Sequence, residues 1–322
     1  MTAAAASRSG HDTYTAIVDS IRKAVLGKDT VIRLALTTLL AEGHLLIEDL
    51  PGLGKTTLAL AIARGVGGTA SRIQFTPDLL PSDITGSTVH HEGEWTFRPG
   101  GVFANVVLAD EINRGTPKTQ SALLEAMAER QVTVESRSRP LPTPFFVVGT
   151  QNPIEMEGTY RLPEAQLDRF LMRIEMAAPS LADERRIVLA DAARPTGSLA
   201  DAVERAVDLR GLERLIAEVR TVTVKPELLD YAIGLAAATR THRWVRYGAS
   251  PRGSIALVRA ARAWAFTANR PYVTLDDLKD LAQPVLAHRL VLNPNAELEG
   301  RRPNDIVAEL LASSFPNTAV RA

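Results

Sequence analysis

A short glycine-rich motif places the strongest constraint on how this chain can fold. Residues 51–57 read PGLGKTT and lie between an apolar run, His44–Ile47, and an amphipathic segment, Lys55–Arg64. A strand, a glycine-rich turn and a helix in this order present backbone N–H groups and a helix N-terminus to a phosphate chain. The motif therefore predicts a parallel α/β sheet with a phosphate-binding loop at one edge.

The side chains of this loop match the needs of a nucleoside triphosphate carrying Mg²⁺. Lys55 would supply a positive charge for the outer phosphates, and the Thr56 hydroxyl would ligate the metal. Asp49 stands where the general pattern G-x-x-x-x-G-K-[ST] has its first glycine. Taken alone, the segment could also be a glycine turn before a helix whose lysine extends into solvent. The residues predicted to bind the nucleotide are Gly52, Leu53, Gly54, Lys55, Thr56 and Thr57.

Two further apolar runs end in polar side chains. Asp110 and Glu111 follow the run Asn105–Ala109, and Asn152 closely follows Phe145–Gly149. Open α/β sheets bind ligands at the carboxyl ends of their strands. Asp110 could hold Mg²⁺ through water, Glu111 could polarise an attacking water as a general base, and the Asn152 amide could orient that water. Each motif alone has a simpler interpretation, as an acidic pair at a helix start or a turn asparagine.

The chain changes character near Pro179. Before it, short apolar runs alternate with helical patterns, which predicts a doubly wound α/β domain. After it the periodicity is helical, so a helical lid without further strands is expected. The predicted division is a flexible segment at 1–16, the nucleotide-binding domain at 17–177 and the lid at 178–322. The remaining predicted strands are Ile73–Phe75 and Phe170–Ile174, and the remaining helices are Thr119–Arg130, Leu181–Ala192, Leu212–Val219, Pro226–Arg240, Arg252–Asn269, Leu275–Leu290 and Asp305–Leu311.

Composition argues against several other classes of protein. Lys plus Arg and Asp plus Glu each number 37 in 322 residues. The chain therefore lacks the excess of positive charge that is typical of nucleic-acid-binding proteins. The absence of cysteine excludes disulfides, thiolate zinc sites and cysteine nucleophiles. The most apolar stretch, Val31–Leu50, is interrupted by charged residues, and the N-terminus lacks the apolar core of a signal peptide. We therefore expect a cytoplasmic protein with no membrane span and no nucleic-acid partner.

Longer runs of the sequence resemble the MoxR family of AAA+ ATPases. They lie in order along nearly the whole chain, except for the first dozen residues and the final thirty. The runs are RIQFTPDLLPSDITG at 72–86, DEINR at 110–114, KTQSALLEAM at 118–127, QNPIE at 151–155, LPEAQLDRF at 162–170, SPR at 250–252 and YVT at 272–274. The chain departs from the family at Arg161, usually proline, and at Gly115-Thr116, usually Ala-Pro; neither position bears catalysis, although the subunit contact near Arg169 could differ.

The resemblance implies a P-loop AAA+ parallel-sheet sandwich with a helix-2 insert, followed by a smaller all-α lid. The insert would occupy about residues 79–102, and a hairpin before the third motif would occupy Gln131–Pro142. Asn152 matches the sensor-1 position, and Gly27 lies in the segment that lines the adenine pocket. Arg169 matches the arginine finger, which reaches the nucleotide of a neighbouring subunit, and Arg252 matches sensor 2 in the lid.

The two arginines have ordinary interpretations as well. Arg169 could only form a surface ion pair with Asp168, and Arg252 lies at a helix start, where the helix dipole disfavours a cation. The pair His90-His91 could suggest a metal, but solvated histidines are the simpler interpretation. Trp244 could stack on a base, or pack beneath arginine side chains. Trp95 and Phe97 in the insert could contact a partner or simply pack within the insert.

The resemblance also implies a function. We expect Mg²⁺-dependent hydrolysis of ATP that drives chaperone-like remodelling or maturation of a protein partner, expected to contain a von Willebrand factor A domain. The subunits would form a ring, expected to be a hexamer. The alternatives are a nucleic-acid-translocating AAA+ motor and, outside the motors, a P-loop small-molecule kinase.

Overall fold

A computed structural model describes residues 9–48, 52–91, 94–152, 160, 162–193 and 197–313. The interpretations of Asp49 and Arg161, and those of the first eight and last nine residues, lie outside this part of the chain. The elements up to the end of the sheet are α1 (Gly10–Arg22), α2 (Asp29–Leu40), β1 (Leu45–Glu48), α3 (Lys55–Gly65), β2 (Ala70–Gln74), α4 (Pro81–Thr85), β3 (Ser87–His91), β4 (Glu94–Arg98), β5 (Val106–Asp110), α5 (Pro117–Glu129), β6 (Gln131–Val134), β7 (Arg137–Pro140), β8 (Phe146–Gln151), α6 (Glu164–Leu167) and β9 (Met172–Glu175). The elements of the predicted lid region are α7 (Leu181–Ala192), α8 (Leu209–Thr221), α9 (Pro226–Thr241), β10 (Val245–Tyr247), α10 (Pro251–Thr267), α11 (Leu275–Leu286), β11 (Val291–Leu292), α12 (Pro294–Leu298) and α13 (Pro303–Ala312).

Within the described residues, five parallel strands form the central sheet in the order β2-β5-β8-β1-β9. All five coincide with predicted strands, with ends shifted by a few residues. Alternate residues of β5 face opposite sides: Val106 and Leu108 pack with α1–α3, whereas Val107 and Ala109 pack with α5. Since both faces are covered, β5 is buried at every position.

One hydrophobic core joins the lid to the nucleotide-binding domain. Ile17 of α1 and Leu36 of α2 belong to the same buried cluster as Leu212, Leu257 and Leu281 of the lid. The lid helix α10 packs directly against α2, and α8 packs against α1. The lid is therefore held to the rest of the chain by continuous apolar packing.

The N-terminal segment differs from its prediction. Residues 1–16 were expected to be flexible, but α1 begins at Gly10. Ser9 caps the helix, since its hydroxyl accepts from the Asp12 N–H while the Asp12 carboxylate accepts from the Ser9 N–H. Tyr14 and Ile17 are buried on its inner face. The cap and the apolar face together account for an ordered helix here.

Two hairpins project from the nucleotide-binding domain. The pair β3–β4 lies within the predicted insert, and the pair β6–β7 confirms the hairpin predicted at Gln131–Pro142. The Phe97 ring of β4 packs edge-on against Phe103, with 5.6 Å between centroids. The Arg139 guanidinium of β7 lies 3.7 Å above the centre of the Phe97 ring. The two hairpins are therefore in direct contact. Trp95, by contrast, is largely exposed, with the His90 ring beside it.

The prediction that strands stop after Pro179 is wrong in one detail. Within the described residues, the lid contains a short antiparallel pair, β10 with β11, of three and two residues. Segments this short cannot display a period of two, so the sequence pattern did not reveal them. Trp244 beside this pair packs near the guanidinium group of Arg243, as predicted, and also near that of Arg301, whereas Arg246 lies over Tyr247. None of the described helices combines the length and apolar character needed to cross a membrane.

Candidate active site

The glycine loop joins the end of β1 to the start of α3. Gly52 and Gly54 have φ angles of 87° and 93°, in the left-handed region that favours glycine. A Cβ atom built on either glycine would have no neighbour within 4 Å among the described residues, so open space lies over this part of the loop. Among the described residues, no side chain forms a capping hydrogen bond to α3. Its first-turn N–H groups, with Lys55, Thr56 and Thr57, therefore begin a helix suited to an anion.

Asp110 lies at the end of β5 with both carboxylate oxygens bound. Arg72 on the neighbouring strand β2 donates to Oδ2, with Nη2 at 2.7 Å, and the Thr150 hydroxyl donates to Oδ1 at 2.7 Å. The same Thr150 oxygen accepts from the Glu111 N–H at 2.8 Å. Thr150 thus fixes the two consecutive acidic residues relative to the end of β8. Asp110 and Thr56 offer the oxygen ligands that Mg²⁺ prefers.

Glu111 occupies an unusual backbone conformation. Its φ and ψ angles are 56° and 51°, in the left-handed region, which a non-glycine residue adopts at some cost in energy. Its Oε2 atom accepts from Gln74 Nε2 at 3.2 Å and from Arg114 Nη1 at 2.9 Å. These contacts hold the carboxylate of the predicted general base in one direction at the sheet edge.

Asn152 lies between the two other motifs. Because β8 separates β5 from β1 in the sheet, the residue that follows β8 stands between the acidic pair and the glycine loop, as predicted. Asn152 is buried, and its backbone carbonyl accepts from Asn113 Nδ2 at 3.3 Å. Its role in orienting water stays a prediction.

Gly27 lines a cleft at the same edge of the sheet. The cleft has a volume of about 670 Å³, within the range of small-molecule sites, and lies beside Glu175 at the end of β9. Gly27 has a φ angle of 71°, and an added Cβ would come within 2.3 Å of Asp183 Cγ on α7. Both the conformation and the close approach of α7 require glycine here.

Arg169 and Arg252 lie near the opposite side of the sheet, where the parallel strands begin. The Leu171 N–H donates to the His44 carbonyl at 2.8 Å, which places the segment around Arg169 beside the start of β1. Arg169 donates to the Leu124 carbonyl of α5 at 2.7 Å. Both arginines line a cleft of about 260 Å³ together with three others. This arginine cleft is lined by Arg130, Arg169, Arg252, Arg259 and Arg289, with Glu42 and Asp168 as its carboxylates.

Asp168 does not form the surface ion pair with Arg169 that was considered from the sequence. Its Oδ1 atom accepts from Arg289 Nε at 2.7 Å, and Ser250 Oγ lies 3.4 Å from Oδ2. Arg289 is buried, and burial lowers its pKa, whereas the charge of Asp168 opposes that change. The Arg252 guanidinium stands 3.9 Å from Asp168 Oδ2. Asp168 therefore joins the segment that carries Arg169 to the predicted lid.

Several residues of the site were not identified from the sequence. Arg72, Gln74, Arg114 and Thr150 all contact the acidic pair, yet none belonged to a predicted site. Arg72 and Gln74 alternate along β2, so their side chains share one face of the sheet. Polar residues at alternate positions near the end of an edge strand were the signal that could have identified them.

Comparison with known proteins identifies two matching domain families and several similar proteins. The ATPase family associated with various cellular activities (AAA) matches residues 44–172, and the AAA lid domain matches residues 237–310. The chain is 45% identical to the uncharacterized protein YeaC of Bacillus subtilis, with 94% of each chain covered. It is 41% identical to the chaperone MoxR1 of Mycobacterium tuberculosis, covering 93% of this chain and 81% of that protein. It is 35% identical to the protein MoxR of Methylorubrum extorquens, covering 92% and 91%.

A solved structure shares the same architecture. It is the crystal structure of a candidate ATPase from Cytophaga hutchinsonii, with a TM-score of 0.88 and 38% sequence identity. The match covers 94% of both chains.

Proposed function

Because the chain belongs to the MoxR family of AAA+ ATPases, we propose that it hydrolyses ATP to ADP and phosphate at an active site shared between neighbouring copies in a ring. The hydrolysis would drive chaperone-like remodelling or maturation of a protein partner. The observation that carries this proposal is the position of Arg169 and Arg252 at the edge of the sheet remote from the glycine loop.

The nucleotide would bind along the edge formed by the carboxyl ends of the strands. The base would enter the Gly27 cleft, and the triphosphate would lie over the loop at residues 52–54, with Lys55 against its outer oxygens. Thr56 and Asp110 would hold Mg²⁺, which supplies charge neutralisation for the phosphates when bound. Asp110 would then exchange its contact with Arg72 for the magnesium site.

Hydrolysis needs a base, an oriented water and a compensating positive charge. Glu111 would accept a proton from the attacking water, while the buried Asn152 amide would align that water with the terminal phosphorus. The bond between the γ-phosphorus and the β–γ bridging oxygen would break, and ADP would leave. Gln74 and Arg114 would position the Glu111 carboxylate before and during this step.

The positive charge would come from a second copy. A strand rises about 3.3 Å per residue, so the two ends of the four-residue strand β1 are about 10 Å apart. Arg169 and Arg252 lie beyond the start of β1, and the nucleotide loop lies beyond its end. Because the sheet stands between them and the nucleotide of their own chain, these arginines would act on the nucleotide of the neighbouring copy. Arg252, at the sensor-2 position, would therefore contact the same neighbouring nucleotide as the finger Arg169.

The client is proposed to be a protein, since two of the relatives named above are chaperone MoxR1 and protein MoxR. The resemblance indicates a partner with a von Willebrand factor A domain. The exposed Trp95, at the end of the insert hairpin, would offer an aromatic anchor for such a partner.

A complementation assay tests the shared site. Lys55→Ala should lose nucleotide binding but keep its arginines, whereas Arg169→Ala should keep a sound nucleotide site but lose the finger. Each variant alone is expected to be inactive. A mixture is expected to recover part of the ATPase activity, because some interfaces then combine an intact loop with an intact finger.

Two results would contradict the proposal. Wild-type activity in Arg169→Ala alone would remove the finger role. Failure of the mixture to recover activity, although labelled subunits exchange between assemblies, would show that Arg169 serves its own chain.

A further inference from the structure

Arg289 is a buried charge that the proposed hydrolysis does not use. It lies in a 3-10 turn, Ala287–Arg289, which follows α11 in the part of the chain that matches the AAA lid domain. Only 7% of its surface is exposed. A guanidinium carries five N–H donors, and their removal from water is costly unless they find acceptors. The acceptors of Arg289 therefore indicate what the residue does.

These acceptors lie on both sides of Arg169, in residues 168–171, here called the finger segment. Nη2 of Arg289 donates to the Phe170 carbonyl at 2.7 Å, and Nη1 donates to the Leu171 carbonyl at 3.3 Å. Nε donates to Asp168 Oδ1 at 2.7 Å, and Nη2 lies 3.4 Å from the Asp168 carbonyl. Arg289 thus binds the residue before Arg169 and the two residues after it.

Arg289 is also fixed within its own segment. Nη1 donates to the Val285 carbonyl and lies 2.8 Å from His288 Nε2. His288 Nε2 in turn stands 3.2 Å from the Phe170 carbonyl. Burial and the neighbouring Arg289 charge hold the pKa of His288 well below its usual value, so its ring is neutral beside the guanidinium. All three nitrogens of Arg289 are therefore engaged, and the residue serves its neighbours rather than a phosphate.

Arg169 itself is exposed, in contrast to the residue that holds its backbone. Its N–H donates to the Gln166 carbonyl at 3.2 Å, and its side chain donates to the Leu124 carbonyl at 2.7 Å. A long exposed arginine loses rotamer freedom when it must meet a phosphate in one geometry. A backbone held on both sides restricts the point from which the side chain extends. That point matters, because a displacement of about 1 Å can cost a hundredfold in rate.

A purely stabilising role is the simpler interpretation of Arg289. Buried ion pairs are often no more stabilising than apolar side chains of similar volume. The helices around Arg289 already share one apolar core with α1 and α2, so their attachment does not depend on this ion pair alone. The hydrogen bonds of Arg289 concentrate instead on the finger segment, which favours a role in placing Arg169.

We propose that Arg289 is a positioning residue for the hydrolysis: it fixes the backbone of the finger segment so that Arg169 extends toward the nucleotide that it serves. This inference rests on the proposed function and adds to it a residue that touches neither the nucleotide nor the attacking water. The lid would then set the geometry of the finger, although the two are more than a hundred positions apart in the chain.

Arg289→Lys tests this role. Lysine keeps a positive charge beside Asp168 but lacks the planar set of donors, so the carbonyls of Phe170 and Leu171 lose their partner. The variant should bind a fluorescent ATP analogue as tightly as the wild type does, while kcat falls about 100-fold. A role confined to stability would leave kcat of the folded fraction unchanged.

Mixtures of variants separate positioning of the finger from damage to the nucleotide site of the same chain. Arg289→Lys with Lys55→Ala should recover ATPase activity, because the first supplies an intact loop and the second an intact finger. Arg289→Lys with Arg169→Ala should recover none, because every finger in that assembly is impaired. Damage to its own nucleotide site predicts the reverse pattern, with recovery only in the mixture with Arg169→Ala.

A matched control and a second variant accompany these mixtures. Arg270→Lys is the control, since Arg270 is another lid arginine, and its Nη1 donates to the buried Asp277 at 2.8 Å outside the finger segment. It should hydrolyse ATP as the wild type does. Should Arg289→Lys fail to bind nucleotide, Asp168→Leu combined with Arg289→Met removes the ion pair without leaving an unpaired buried charge. That double variant should give the same pattern in the mixtures.

The outcomes separate this inference from the function beneath it. Wild-type kcat in Arg289→Lys, or no recovery in its mixture with Lys55→Ala, would overturn the positioning role even where Lys55→Ala and Arg169→Ala complement each other. Loss of nucleotide binding in both Arg289 variants would show that the residue serves the fold as a whole, and would overturn it too. Failure of Lys55→Ala and Arg169→Ala to complement would instead remove the shared site, and this role with it.

Discussion

The buried histidine at the start of β1 should make the stability of the protein depend on pH. The His44 Nδ1 atom accepts from the Val147 N–H at 3.0 Å, and Nε2 stands 3.2 Å from the Met127 carbonyl. The first contact requires an unprotonated Nδ1, so the neutral ring with its proton on Nε2 satisfies both partners. Burial lowers the pKa of His44 from 6.5 to about 4, opposed in part by the Met127 hydrogen bond.

The sign and the size follow from this shift. The folded state binds the proton less readily than the unfolded chain, so the contribution to stability is complete above pH 6.5 and is lost as the pH falls toward 4. Between pH 7 and pH 5, His44 alone should lower the free energy of unfolding by about 2 kcal/mol. His288 is also buried, and burial lowers its pKa as well, so a single-site variant is needed to separate the two.

The assay compares urea unfolding of the wild type and His44→Asn at several pH values without nucleotide. Asparagine keeps an acceptor near Val147 but does not titrate, so the variant should be less stable at pH 7 and should lose less stability on acidification. His90→Asn, which changes an exposed histidine, should follow the wild-type pH dependence. If wild type and His44→Asn lose stability in parallel from pH 7 to pH 5, the interpretation of His44 is refuted.

Three further predictions concern stability and catalysis. Asp168→Asn leaves the buried Arg289 without its ionic partner and should lower the free energy of unfolding by about 3 kcal/mol, measured by urea unfolding; an unchanged midpoint would contradict the pairing. Thr150→Val removes the hydroxyl that binds the Glu111 N–H and should lower kcat about tenfold at nearly constant nucleotide affinity, measured by steady-state ATPase kinetics; a loss confined to affinity would contradict the positioning role. Trp95→Ala removes an exposed side chain and should change the free energy of unfolding by less than about 0.5 kcal/mol, so a larger loss in the same assay would show that Trp95 packs within its own chain.

The parts of the fold that follow from local pattern were predictable. The five sheet strands were identified because runs buried on both faces are apolar and end abruptly at polar or glycine residues. The three motifs converge because parallel strands place their carboxyl ends at one edge, which needed no knowledge of the strand order. The order itself was required to place Asn152 between the other two motifs.

Features that depend on distant contacts were not predictable. Asp168 and Arg289 are 121 positions apart, and no local pattern pairs them before the lid is packed. Arg72 belongs to a run shared with the family and carries no predicted role, although its guanidinium binds Asp110 on the neighbouring strand. The start of α1 was not predicted, because small and polar residues surround Ser9 and the capping position could not be distinguished from a flexible segment.

The continuous core between the lid and helices α1 and α2 bears on how the motor would move. A lid attached by a thin linker can swing on its own, as a hinged flap does, whereas one that shares buried leucines with the body must travel with it. Each chain should therefore behave mainly as a single wedge. Changes in the bound nucleotide would alter the angle between successive wedges, and the force on a client would arise at the seams of the assembly.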